Sequence, residues 1–245
     1  MSGGALGCLA EAACGPHAAG SAQTPPPPPP QMQKAYILSS NTIQHAGKVA
    51  KLIRSMGVTD VQALALDECW RCASDTQRPR GRSKAGTPCT TSVRKLYSES
   101  RRWAVLGICS KFGMLHQATF ITQETLTAEV FSDWLINSVL PLTTAFPGPR
   151  SVILADNAPF HDWDVLNNAC IEAGVLWLPL PPRQPQDNPI EWVWADLRRA
   201  LFESGPEEFD RDPEWTIRSA LERIPESHFR NFFKHCLAPY GVECA

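Results

Sequence analysis

Ser151-Val152-Ile153-Leu154-Ala155-Asp156-Asn157 is the stretch that decides the fold. Its short apolar run, Ser151 to Ala155, is closed by two turn formers, which reads as a strand buried on both faces. Toward the C-terminus, helical spacing predicts a helix from about Trp163 to Ala173, and Gly174 leads it into a second strand, Val175 to Leu178. Pro179, Pro181, Pro182 and Pro185 then impose an extended loop, because proline cannot continue a helix or a central ladder. Asn188-Pro189 opens the next helix, with Ile190, Val193, Trp194, Leu197 and Leu201 on its apolar stripe. Toward the N-terminus, a helix is expected from about Thr127 to Val139, with Val130, Phe131, Trp134, Leu135 and Val139 inward. Before it, Trp103 to Ser110 and Leu115 to Thr122 read as strands joined by a turn at Lys111-Phe112-Gly113. Val61 to Leu66 reads as another buried strand, ending at Asp67-Glu68 and preceded by a helix from Ile43 to Met56 that Gly57 stops. Residues 69–98 read as an irregular excursion. Two further helices close the chain, one around Trp215 to Leu221 and one with Phe229, Phe232, Phe233, Cys236 and Leu237 inward.

Strands followed by alternating helices and strands indicate an α/β sheet with covered faces, and residues 35–245 fit one such domain. Residues 1–34 are rich in Gly, Ala, Ser and Pro and end in six prolines, Pro25 to Pro30. That tail has too little bulky apolar surface to offset its ordering entropy, so it is expected to be disordered, with the proline run as a stiff polyproline II spacer.

Charge and composition narrow the function. Among 245 residues, 23 Lys+Arg face 25 Asp+Glu, a net charge of −2. A uniformly basic polyanion binder is excluded, and any contact with nucleic acid must use a local patch. No apolar run approaches the roughly 18 residues of a membrane span, and no secretory signal opens the chain. Nine cysteines without a regular framework suggest reduced thiols inside a cell. Cys69-Trp70-Arg71-Cys72 is the one suggestive pair: half a zinc site with no second half, or a thiol redox motif.

The chemistry points to three acids. Asp67 and Asp156 each close a buried strand, where ligands gather in open α/β sheets. Glu191 stands in the first turn of the helix after the proline loop. Two carboxylates about 4 Å apart repel by roughly 4 kcal/mol at an effective dielectric near 20, so three together call for protons or a cation. Oxygen-only ligands suit Mg²⁺ or Mn²⁺, and two such ions form the usual clamp for in-line displacement at a phosphodiester. Each acid also has a purely structural reading. Glu191 fits the N3 position of a capping box with Asn188 as N-cap, Asp156-Asn157 fits a turn, and Asp67 fits a polar strand terminus.

Three blocks in order resemble the DDE transposases of the mariner superfamily. The first is Leu64-Ala65-Leu66-Asp67-Glu68, and the second is Val152 to Ala158 followed by His161. The third runs from Pro181-Pro182 through Asn188-Pro189-Ile190-Glu191 to Trp194, and 34 residues separate Asp156 from Glu191. The resemblance covers residues 36 to 240. It implies a ribonuclease-H-like domain with a mixed five-stranded sheet flanked by helices, the Asp67 and Asp156 strands side by side. It implies that Asp67, Asp156 and Glu191 hold two Mg²⁺ or Mn²⁺ ions. Asn157 and His161 match residues near that site without being ligands. Water would cut double-stranded DNA at an element end, and the freed 3′-hydroxyl would attack target DNA without a covalent protein intermediate. A nuclear location is expected because the inferred substrate is chromosomal DNA, a homodimer is one expected assembly, and no membrane partner is expected because no apolar run is long enough to span one.

Two departures accompany it. The loop reads Pro185-Gln186-Asp187-Asn188, its acid shifted by one position, and Arg183 replaces a common aromatic. The roughly 35 residues before the first helix are too few for the helix-turn-helix modules that read element ends in this family. That implies a cutting centre without its own address reader. For DNA contact the chain offers Arg78, Arg80, Arg82, Lys84, Arg94, Lys95, Arg101 and Arg102 against Glu99 alone, and Arg198 two turns beyond Glu191. The alternatives are a solvated basic loop, a catalytically inactive transposon-derived binding protein, and a thiol redox protein using Cys69 and Cys72.

Overall fold

The computed structural model describes residues 51, 53–77, 82–88, 101–156, 162–181, 184–242 and 244. The N-terminal tail, its proline run and most of the first expected helix lie outside these residues. Residues 53–56 are helical and turn at Gly57, as the spacing predicts.

Six strands form one mixed sheet. They are β1 (Ala63–Cys72), β2 (Arg102–Ser110), β3 (Gly113–Met114), β4 (Phe120–Thr122), β5 (Val152–Ala155) and β6 (Leu176–Pro179), in the order β3-β2-β1-β5-β6 with β4 also on β2. β1 pairs antiparallel with β2 and parallel with β5, and β5 pairs parallel with β6. The sixth strand arises where one was expected. The segment Leu115 to Thr122 is broken by a 3-10 turn at His116–Ala118, so β3 pairs Cys109 and Ser110 while β4 pairs Ala104 to Leu106.

Helices flank the sheet: α1 (Ala128–Trp134), α2 (Trp163–Ala173), α3 (Pro189–Ser204), α4 (Pro206–Arg211), α5 (Pro213–Glu222) and α6 (Glu226–Leu237). Thr127 caps α1 through its side chain, and α1 widens into a π turn over Leu135–Val139. Asp162 caps α2, which ends at Gly174 with φ of 71°, a left-handed conformation that glycine adopts without strain. α4 was not expected; Pro206 and Pro213 divide the region after Gly205 into two short helices.

The predicted apolar positions form the core. Ile190, Val193, Trp194, Leu197 and Leu201 of α3 are all buried against the sheet, as are Leu64, Leu66, Leu106, Ile108, Ile153, Leu154 and Trp177 from the strands. Fully burying each aliphatic side chain contributes about 1.5–3 kcal/mol. Phe232 is only half-buried, stacked on Trp192 with ring centroids 6.2 Å apart.

Two expectations about β1 are corrected. The strand does not stop at Asp67-Glu68 but runs on to Cys72, because β2 keeps pairing it as far as Cys72 opposite Arg102. Cys69 and Cys72 therefore point to opposite faces of a strand and cannot bridge. Burial pushes the Cys69 thiol up to about 12, the reverse of a reactive thiol. The redox reading falls with it. Among the described residues every cysteine is free, and no helix is long and apolar enough to cross a membrane.

Candidate active site

β1 and β5 bring the first two acids together by register. Their parallel ladder pairs Ala63 with Val152 and Ala65 with Leu154. Continued by two residues, it sets Asp67 beside Asp156. Asp67 is thus in mid-strand relative to β2, yet at the point where its parallel neighbour leaves the sheet. It is 7% exposed, whereas Asp156, the first residue beyond β5, is exposed.

Glu191 reaches the same region from α3. The expected capping box is absent, since the Asn188 side chain makes no cap hydrogen bond. Instead, buried Asn188 donates through Nδ2 to the Leu66 carbonyl at 3.2 Å, fastening the start of α3 to β1 one residue before Asp67. The preceding loop is seated on the C-terminal helix. Gln186 O accepts from the Cys236 thiol at 3.2 Å and from Trp192 Nε1 at 3.4 Å. The shifted acid, Asp187, accepts from the Tyr240 hydroxyl, which gives that departure a structural account.

Four carboxylates, Asp67, Glu68, Asp156 and Glu191, lie within electrostatic reach of one another. Burial raises Asp67 well above the usual carboxylate range, and the charges of Glu68, Glu191 and Asp156 push the same way. Glu68 is raised to about 7, by burial first and then by Asp156 and, more weakly, Glu191. Its Oε2 is buried without a hydrogen-bond partner among the described residues. Glu191 is raised by desolvation and by Asp156, and the cations Arg71 and Arg198 offset part of this. An anionic cluster that includes the buried Asp67 is favourable only with protons or cations beside it. Among the described residues no three His, Cys, Asp or Glu side chains stand close enough to enclose one ion. That is compatible with Mg²⁺, which commonly takes one or two carboxylates and completes its shell with water and substrate phosphate. The donor set is all oxygen, and the residues present fit such a cation.

The raised Glu68 has a testable consequence. It ionises at 4.5 in an unfolded chain and at about 7 in the fold, so the folded state holds the proton more tightly. Stability from the protonated form is full below 4.5 and is lost as pH rises through about 7. Without divalent metal, the melting temperature of the wild type should fall across that window relative to a Glu68→Gln variant. Parallel pH profiles for the two proteins would show that Glu68 is not enclosed as described.

The basic residues divide. Arg102 is exposed opposite Cys72, and Arg198, 65% exposed, approaches Asp75 at 3.8 Å just beyond that strand end. Arg101 is exposed beside Arg102, and Arg82 and Lys84 are exposed in the segment 82–88. Arg78, Arg80, Arg94, Lys95, Asn157 and His161 lie outside the described residues. Sequence reading missed Asn188 as an anchor, and it missed Glu68, Arg71 and Trp194 around the acids. Arg71 carried a visible signal: a cation in a ten-residue strand whose face is otherwise apolar or acidic.

Comparisons with known proteins bear on the family and the fold. A family model described as DDE superfamily endonuclease matches residues 62–211. No curated protein sequence matches the chain. Among solved structures, the Mos1 mariner paired-end complex with Mn is similar at a TM-score of 0.62 and 17% identity, covering 86% of this chain and 60% of that one. The catalytic domain of Mos1 mariner transposase is similar at 0.53 and 17% identity, covering 87% and 95%. The Mos1 catalytic domain with Raltegravir and Mg gives 0.57 and 15%, covering 86% and 92%. The chain thus spans about 60% of the transposase in the DNA-end complexes and nearly all of the isolated catalytic domain. With the family model spanning more than half its length, the chain belongs to the DDE superfamily endonucleases.

Proposed function

We propose that residues 35–245 are the catalytic domain of a mariner-type transposase, with residues 1–34 as a tail, and that Asp67, Asp156 and Glu191 are its metal ligands. The observation that supports this reading is the β1–β5 register that runs on from Ala65 and Leu154 toward Asp67 and Asp156, together with the Asn188 hydrogen bond that fastens the helix of Glu191 to β1. The Mos1 relatives are described with Mn and Mg and in complexes with transposon ends, and we extend those partners to this chain. Asp67, Asp156 and Glu191 would hold two Mg²⁺ or Mn²⁺ ions through carboxylate oxygens. Such ions, when bound, polarise the phosphate and make water nucleophilic near neutral pH. The protein's own part is positional. Asp67 is held rigidly in the sheet, Asp156 follows a strand end, and Glu191 is set by a helix fastened to β1. No side chain need attack phosphorus, which suits successive displacement by water and by a DNA 3′-hydroxyl. Arg82, Lys84, Arg101, Arg102 and Arg198, with Arg78 and Arg80, would contact DNA phosphates, so binding should weaken steeply with salt. Action as a homodimer on nuclear DNA belongs to the same reading.

The test is nicking of supercoiled duplex DNA by the full chain with Mn²⁺ or Mg²⁺. Nicked product that chelation abolishes supports the proposal, and nicking that persists in a chelator excludes it.

A further inference from the structure

Trp194 belongs to the apolar stripe of α3 and is 4% exposed. Its polar edge does something that packing alone does not require. Nε1 donates to Asp67 Oδ2 at 3.1 Å. The Trp194 carbonyl accepts from Arg71 Nη2 at 3.1 Å, and Arg71 lies on the same face of β1 as Asp67, four residues on. Directly across the ladder from Asp67 stands Gly107. A Cβ there would fall 2.6 Å from Trp194 Cη2 and 3.0 Å from Met114 Cε. Gly107 has no positive φ, so the position does not need a glycine backbone; it needs the absence of a side chain.

We propose that Trp194 is a positioning residue that holds the Asp67 carboxylate, and that Gly107 is the empty socket admitting its ring beside that carboxylate. The proposal rests on the reading of Asp67 as a metal ligand. Trp194 is on the helix that carries Glu191, one turn further along. Its two hydrogen bonds therefore tie the strand of one ligand to the helix of another and set the separation between them. Hydrogen bonds that orient a ligand commonly change metal affinity by about 10–100-fold when lost. A ring that only filled space would leave metal affinity unchanged in Trp194→Phe, which keeps an aromatic ring and loses the donor.

The experiment uses the full chain, with Mn²⁺ followed by calorimetry and thermal unfolding as a folding control. Trp194→Phe should bind Mn²⁺ at least about tenfold more weakly than wild type. Gly107→Ala should show a similar loss, because the ring must leave its seat. Equal affinity in folded Trp194→Phe overturns the proposal. A second measurement needs no Trp194 variant. In protein labelled with ¹⁵N at the indole nitrogens, the Trp194 cross-peak is identified by its contacts to Gly107 and Met114. It should move on adding Mg²⁺ and also in Asp67→Asn, and a cross-peak unmoved in Asp67→Asn overturns the proposal. If wild type binds no Mn²⁺, the metal reading fails separately, and the Asp67→Asn shift alone decides whether Trp194 holds that carboxylate.

Discussion

Asp156→Asn should lower the rate of metal-dependent DNA nicking on the order of a thousandfold, with little change in thermal stability. The magnitude follows from losing several kcal/mol of charge stabilisation at the phosphate, each 1.36 kcal/mol being about tenfold in rate. The stability expectation follows from position. Asp156 is exposed just beyond β5, and a nearly isosteric substitution at such a site usually changes stability by less than about 0.5 kcal/mol. Asp67→Asn should lose as much activity, yet its effect on stability has the opposite sign. Burial and three neighbouring acids already penalise the Asp67 anion, so neutralising it should raise the melting temperature of the metal-free protein near neutral pH. A gain in stability with loss of activity marks a group held against its own electrostatic preference for function. Nicking by Asp156→Asn at the wild-type rate, measured on supercoiled DNA with Mn²⁺, would remove Asp156 from the centre.

Lys111→Met should destabilise the fold by about 3–5 kcal/mol, a large share of the 5–15 kcal/mol typical of a domain. Lys111 Nζ lies 3.0 Å from both carboxylate oxygens of Asp60, and the two side chains are only 5% and 4% exposed. Asp60 precedes β1 and Lys111 forms the turn between β2 and β3, so the pair ties the entry of the central strand to the hairpin. Removing the cation leaves a carboxylate in a site that excludes water, whereas removing both charges relieves most of the penalty. The double variant Asp60→Leu with Lys111→Met should therefore recover much of the stability lost in the single one. Urea unfolding measures both, and a single-variant loss below about 1 kcal/mol would show that the pair is solvated in solution.

Much of the architecture was written in local pattern. Val152 to Ala155, α2 between Trp163 and Ala173, and the apolar stripe of α3 were legible because each obeys one periodicity and is closed by a strong turn or cap. The errors fall where pairing overrode pattern. β1 looked finished at Asp67-Glu68 because acids normally end a buried strand, but its ladder with β2 carries it on to Cys72. Leu115 to Thr122 looked continuous because nothing local reveals that two separate parts of β2 pair with it. Asn188 read as a helix cap from spacing alone, when its amide in fact serves the Leu66 carbonyl, 122 residues away in sequence.

By itself, the sequence determined the residue types and their order: two acids behind apolar runs, a third in the helix turn after a proline loop, and a glycine at position 107 whose meaning was not visible. Only the tertiary structure decided that Asp67 stands beside Asp156 in register, that Glu68 shares their field, and that the Trp194 ring fills the space Gly107 leaves open. The reason is that periodicity reports what a residue's own segment buries. The field and hydrogen bonds at a carboxylate come from side chains that only strand pairing and helix docking bring within reach.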